Sequence, residues 1–330
     1  MPDLLELLKN DHILIADGAT GTGMQRLGLP PGRAPELWNA ENPDAVRKQY
    51  RDYIEAGSNL ILTNSFGGTR ARLDLEGAGD RVHELNRLAA ELAREVAGDQ
   101  VVVLGSMGPT GQLMEPMGPL TYETCKAYFA EQAAALAEGG VDALLIETMS
   151  DLNEVKAAIE GARAVTDLPI LATMSFDTHG RTMMGVKPEE AVKEIWGLGV
   201  AAVGANCGRT LSETLAAVQA MRRAVPEAIL MAKPNAGLPR LENLEAVYDV
   251  TPEVMVEYAQ KFADAGVKIF GGCCGSTPTH IEAVSQALAG RTVVKPAVVD
   301  GPGESDGAQA VEPGQRRGRR ARRRRSPVAK

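Results

Sequence analysis

Val267-Lys-Ile-Phe-Gly-Gly-Cys-Cys-Gly275 is a short apolar run that stops on reactive residues: a strand-like tetrad, two glycines, a cysteine pair and a third glycine. Counted as 267–274, it is the last of eight such segments, the others being 13–17, 60–64, 101–106, 143–148, 170–176, 201–207 and 229–235. They are near-continuous apolar runs, not polar-apolar alternations, as expected of parallel strands covered on both faces. Amphipathic segments at 44–56, 81–96, 121–137, 152–164, 189–198, 211–224, 252–265 and 278–288 separate them. Asn42-Pro43 and Thr251-Pro252 read as helix starts, and Gly57, Gly139 and Gly266 as residues following helix ends.

Eight strand and helix units within about 280 residues predict a closed (β/α)8 TIM barrel, a fold of ~250 residues; an open doubly wound sheet is the alternative. Polar residues favour the barrel. Asp17, Thr63, Asn64, Ser106, Glu147, Ser175, Asp177, Cys207, Asn235, Cys273 and Cys274 each end an apolar run or just follow it. A barrel brings these positions to one C-terminal face, where barrel enzymes hold their chemistry. An open sheet would scatter them.

Cys207, Cys273 and Cys274 together offer three thiolates to a zinc ion, Zn2+, and leave its fourth position open, the pattern of a reactive site. Two other readings compete: a vicinal disulfide, or cysteines that serve as small buried apolar residues. Gly271, Gly272 and Gly275 argue for the metal, because glycine lets the backbone turn both neighbouring side chains toward one ion. The remaining cysteine, Cys125, falls in a helical segment. His12, His83, His179 and His280 show no metal-ligand spacing.

The 330 residues, 44% of them hydrophobic, suffice for one large core. The first ten residues carry acids and lack the features of a signal peptide, and no apolar run is long enough to span a membrane. Four cysteines without a disulfide framework fit a reducing cytoplasm. Residues 316–330 hold eight arginines and one lysine, against a chain total of −8, so the remainder carries −17. The domains expected are therefore a barrel over 1–290, then a linker and disordered Arg-rich tail over 291–330.

Asp17-Gly-Ala-Thr-Gly-Thr, Thr63-Asn-Ser-Phe-Gly-Gly, Gly108-Pro-Thr-Gly, Ile146-Glu-Thr, Gly204-Ala-Asn-Cys and Gly271-Gly-Cys-Cys-Gly-Ser-Thr-Pro together resemble the homocysteine S-methyltransferase family. The resemblance covers residues 10–290. It implies a zinc-dependent barrel that methylates homocysteine to methionine. Ala34-Pro-Glu-Leu-Trp-Asn, Glu147-Thr-Met-Ser and the segment from Ser175 to Gly185 look most like bacterial betaine:homocysteine methyltransferases, whereas Lys233-Pro-Asn-Ala-Gly-Leu-Pro looks more like the methionine synthase module.

The chemistry is consistent with that resemblance. A free thiol has a pKa of ~8.5 and is largely protonated at neutral pH. Coordination to a metal removes the proton, and a site already holding three thiolates leaves the substrate sulfur electron-rich enough to attack a methyl group. Glu147 and Asp17 are expected on the ammonium side of homocysteine, the alternative for Asp17 being a structural hydrogen bond. Backbone N–H groups around Gly18 and Ala19, with the Thr63 and Ser106 hydroxyls, are candidates for its carboxylate. Asn235 either lends its amide oxygen to zinc or caps a turn. Betaine or a related onium compound is the expected donor, held by the aromatic faces of Trp38 and Phe66, with Tyr122 and Tyr248 ranked behind them. The alternative donors are S-methylmethionine and a separate methyl-corrinoid protein. A scaffold whose arginine tail binds nucleic acid ranks last, since that tail has no aromatic residue for stacking. A homo-oligomer is left open.

Overall fold

The computed structural model describes residues 3–242 and 245–293. Its strands are β1 (Leu14–Ile15), β2 (Leu60–Leu62), β3 (Val102–Met107), β4 (Ala143–Met149), β5 (Ile170–Met174), β6 (Ala202–Cys207), β7 (Leu230–Pro234), β8 (Arg240–Glu242), β9 (Glu245–Val247) and β10 (Val267–Phe270). Eight of them form one parallel sheet in the order β1-β10-β7-β6-β5-β4-β3-β2. A parallel bridge between Ala16 and Leu60 joins the two ends, with Asn59 N–H donating to Ile15 O at 2.7 Å and Asp17 N–H to Leu60 O at 3.0 Å. The ring closes as a (β/α)8 barrel.

Every expected strand is present, although β1 and β10 are shorter than their apolar runs. The last run ends as strand at Phe270, so Gly271 to Gly275 are free to turn over the barrel mouth. Alternate residues divide between two layers. Leu14, Leu62, Leu104, Leu145, Leu171 and Met231 fill the interior together with Leu4 and Leu8 of the first helix. Ile15, Ile61, Val103, Ile146, Val203 and Phe270 pack outward against the helical ring. Burial on both faces accounts for the continuous apolar runs. Lys268, the one charge in β10, donates to Asn10 O, Asn10 Oδ1 and His12 O, which offsets the desolvation of its ammonium.

Helix termini follow local chemistry. Pro43 and Pro252 occupy first-turn positions, and the Thr251 hydroxyl accepts from Val254 N–H. Gly57 and Gly266 adopt positive φ after their helices, whereas at the third expected stop it is Gly140 rather than Gly139 that does so. His280 closes a capping box with Thr277, and its Nε2 meets Val250 O at 2.8 Å. The β8–β9 hairpin, inserted after β7, was not anticipated from the sequence. Arg291 to Val293 still pair with the N-terminal segment, Val293 N–H donating to Asp11 O, so regular contacts run past the expected boundary at 290. The arginine-rich tail lies outside the described residues. Among those described, no helix is long and apolar enough to cross a membrane.

Candidate active site

Strand ends at the barrel mouth surround a cavity of about 470 Å3. Cys207 ends β6, and Cys273 and Cys274 follow β10; their three Sγ atoms all lie within 4.8 Å of one another. Cys207 Sγ and Cys273 Sγ are 3.0 Å apart, and the cysteines are free thiols, not a vicinal disulfide. Cys207 has φ +55, costly for a residue with a Cβ, and Thr148, near the end of β4, shares this strain at +63. Both strained residues line the cavity. Gly275, at φ +81, makes room for Tyr248, since a Cβ there would stand 2.2 Å from the ring.

Three thiols this close cannot all ionise unaided, because like charges oppose one another. Cys274 is lowered to about 3 by hydrogen bonds from Cys207 and Cys273. The proton-sharing bonds with Cys273 and Cys274 push Cys207 well up. Cys273 is lowered by its bond with Cys207, but the bond with Cys274 and burial outweigh this and carry it to about 12. A divalent cation would relieve the arrangement by displacing the shared protons. Tetrahedral zinc bonded at about 2.3 Å to sulfur needs sulfur separations of ~3.8 Å, within reach of this cluster. Asn235 adds a second indication: its Nδ2 donates to Gly208 O at 2.8 Å, while among the described residues its buried Oδ1 has no hydrogen-bond partner. The donor set fits zinc.

A charge cluster adjoins the thiols. Lys233, in β7, places Nζ 2.8 Å from Asp17 Oδ1, and Asp17 Oδ2 accepts from Leu62 N–H at 2.7 Å. Both carboxylate oxygens of Asp17 are thus engaged, and it does not line the cavity, which alters the role expected of it in binding an ammonium. Burial pushes Asp17 up against the opposing pull of Lys233. Lys233 is held above its ordinary value: burial lowers it, and Asp17 with Glu147 more than compensates.

Glu147 faces the cavity from β4. Burial pushes its pKa up to about 7; Lys233 opposes that shift and the Cys273 charge adds to it. Its Oε1 accepts from Ser106 Oγ at 2.5 Å. The Ser106 hydroxyl therefore holds Glu147 in place. Thr63, the other hydroxyl considered for a substrate carboxylate, meets Ser65 Oγ at 2.6 Å and accepts from Ser106 N–H at 2.9 Å, bracing β2 against β3. Ala19 N–H donates to Ser276 Oγ at 3.1 Å, whereas among the described residues the Gly18 N–H, on the cavity wall, has no acceptor.

The aromatic candidates separate. Phe66 lines the cavity; Trp38 is 8% exposed, packs in the main core and is not part of the wall, which corrects the expectation that it faces a donor. Tyr248 sits beside the thiols, its phenol raised to about 12 by burial first and then by the neighbouring cysteines.

Sequence reasoning passed over two residues. Asn206 Oδ1 accepts from Thr148 N–H and Thr173 Oγ1, and its Nδ2 donates to Thr148 Oγ1 and approaches Cys207 Sγ at 3.8 Å and Cys273 Sγ at 3.9 Å. It holds the strained Thr148 backbone and contacts two thiols. Lys233 was the other, although a lysine inside an apolar strand was itself a signal that a buried carboxylate must be near.

The model of homocysteine S-methyltransferases matches residues 14–288. The chain belongs to the homocysteine S-methyltransferase family. Two family relatives, the methionine synthases of Mycobacterium tuberculosis (strain ATCC 25618 / H37Rv) and Mycobacterium leprae (strain TN), are 33% and 34% identical over 307 and 308 residues. Each alignment takes in 87% of this chain and 25% of the relative, so this homocysteine S-methyltransferase homologue spans about a quarter of their length. Among solved structures, the metallated form of the homocysteine methyltransferase MmuM from Escherichia coli is similar at TM-score 0.72 and 25% identity, covering 86% of this chain and 99% of that one. Its oxidised form gives 0.70 and 26%, with 87% and 99% covered.

Proposed function

We propose that this chain methylates the sulfur of homocysteine to give methionine, with a zinc ion as its cofactor and a small methyl-onium compound, such as betaine, as donor. The observation that carries the reading is the shared cavity of three thiols and Glu147. Cys207, Cys273 and Cys274 are the metal ligands in this reading, with Asn235 Oδ1 as a fourth before substrate arrives. When bound, zinc supplies a Lewis acid that lowers the pKa of the substrate thiol.

Glu147 receives the substrate ammonium. Its partner Lys233 already serves Asp17, so two buried carboxylates face one buried cation, and an incoming ammonium completes the balance. Asp17 acts through Lys233 by fixing that cation. The Gly18 N–H is available to the substrate carboxylate, while Thr63 and Ser106 hold the wall. The thiolate lone pair then attacks the methyl carbon, and the carbon-heteroatom bond of the donor breaks with its electron pair leaving on the donor.

A second reading gives the donor to a separate methyl-corrinoid protein. It is favoured by exposed Leu75, Leu113, Met117, Met183 and Leu238, all in segments that connect a strand end at the barrel mouth to the next long helix. Apolar groups gathered there suit a macromolecular surface. The testing experiment incubates zinc-loaded protein with homocysteine and, separately, betaine, dimethylsulfonioacetate, S-methylmethionine and a methylated corrinoid protein, and measures methionine by mass spectrometry. Methionine from a small donor supports the first reading, from the corrinoid protein the second. None from any donor rejects both.

A further inference from the structure

The cavity extends from the thiols outward to Glu36 and Arg72, which the homocysteine half of the reaction does not use. Glu36 belongs to the short 3-10 helix Pro35–Leu37, in the connection between β1 and β2, and is 4% exposed. Its Oε1 accepts from Gly67 N–H at 2.6 Å. Burial raises its pKa, while the Glu36 and Gly67 N–H groups and the charge of Arg72 oppose that shift. Phe66 lines the same wall, one residue before Gly67. Arg72 lines the cavity from the helix Arg70–Leu73, its guanidinium lying over Gly111, where a Cβ would stand 3.0 Å from Nη1.

These groups answer a chemical requirement. A trimethylammonium or dimethylsulfonium centre donates no strong hydrogen bond, so it is held by negative charge and aromatic faces. A carboxylate on the same molecule is met by a guanidinium. We propose that Glu36 and Phe66 bind the onium centre of a zwitterionic methyl donor and that Arg72 binds its carboxylate. The assignment rests on the small-donor reading and specifies the donor end of that site. The competing role for Glu36 is purely structural, bracing the turn at Gly67.

Steady-state kinetics with betaine, dimethylsulfonioacetate and the carboxylate-free trimethylsulfonium ion separate the two roles. Glu36→Gln keeps an oxygen for Gly67 N–H and removes the charge. It should raise KM for all three donors on the order of tenfold or more, with kcat and the homocysteine dissociation constant within roughly twofold of wild type. Arg72→Met should raise KM for the two carboxylate-bearing donors and spare trimethylsulfonium. The inference is overturned if Glu36→Gln leaves donor KM unchanged, if it weakens homocysteine binding equally, or if Arg72→Met affects trimethylsulfonium as strongly as betaine. Should Glu36→Gln fail to fold, the Arg72→Met comparison decides alone. Wild-type turnover with the corrinoid protein and none of the small donors would overturn the small-donor reading and this assignment together; normal wild-type turnover with unaltered variants overturns the assignment only.

Discussion

Lys233 Nζ, in β7, and Asp17 Oδ1, two residues past β1 on the far side of β10, form an ion pair 2.8 Å long in which both side chains are nearly inaccessible. Removing one partner strands the other charge in a medium that cannot solvate it, a loss of about 3–5 kcal/mol. Lys233→Met should therefore destabilise the barrel by that order in denaturant unfolding. The double variant Asp17→Asn with Lys233→Met should recover much of the loss. A single variant within about 1 kcal/mol of wild type, the size of an ordinary substitution effect, would show that the pair carries little of the stability.

Glu147 links stability to pH. Its folded pKa of about 7 lies above the ordinary 4.5, so between those values the native chain binds more protons than the unfolded one. Stability should consequently be fullest below about pH 4.5 as far as this group is concerned, and fall as pH rises through 7, by on the order of 3 kcal/mol. Glu147→Gln should remove that component. Homocysteine should bind the variant much more weakly, since the amide cannot balance an ammonium. An unchanged pH profile of the unfolding midpoint in Glu147→Gln would count against this account.

The thiol cluster makes a quantitative claim. Wild-type protein should take up one zinc per chain, and Cys207→Ala, Cys273→Ala or Cys274→Ala should each abolish methyl transfer and weaken metal binding. Circular dichroism should remain that of a barrel, because these side chains lie at the mouth and not in the core. Cobalt substitution gives a readout independent of turnover, with sulfur-to-metal charge-transfer bands falling in each variant. A fully active, metal-free Cys274→Ala protein would exclude the proposed ligand set.

Much of this was legible in the sequence, for a physical reason. Strands buried on both faces leave long apolar runs, and a barrel gathers the polar residues ending those runs at one mouth; Cys207, Glu147 and Cys273 were expected there on that ground, and all three line the cavity. Side-chain pairing was less visible. Nothing in the order of residues said that the Ser106 hydroxyl would turn to Glu147 or that Asp17 would be taken by Lys233, 216 positions away. Trp38 lies close in sequence to cavity-lining Glu36, but a short helical turn sends it inward to the core. The β8–β9 hairpin escaped because two strands of three residues each are too short for a period-2 pattern to register.

Residues 301–330 carry a composition with too few apolar groups to bury. Their deletion should leave zinc content and homocysteine affinity as in the full chain, measured by elemental analysis and calorimetry. Loss of both on truncation would make the tail part of the active site.

The two aromatic candidates should now diverge. Trp38 packs in the core, and replacing it with Ala opens a cavity there, at a cost of about 3–5 kcal/mol. Trp38→Ala should lower the thermal midpoint and disturb homocysteine and donor kinetics alike. Phe66 stands on the cavity wall, where a Cβ at Gly108 would meet its ring at 2.6 Å, so the glycine is what allows the ring its position. Phe66→Leu keeps apolar volume but loses the negative ring face, an interaction of about 0.5–2 kcal/mol with an onium centre. Donor KM should rise accordingly, by roughly two- to thirtyfold, with homocysteine affinity and thermal midpoint little changed. Equal loss for homocysteine and donor in Phe66→Leu would place the ring in loop packing, and an undisturbed donor KM would remove it from the onium site.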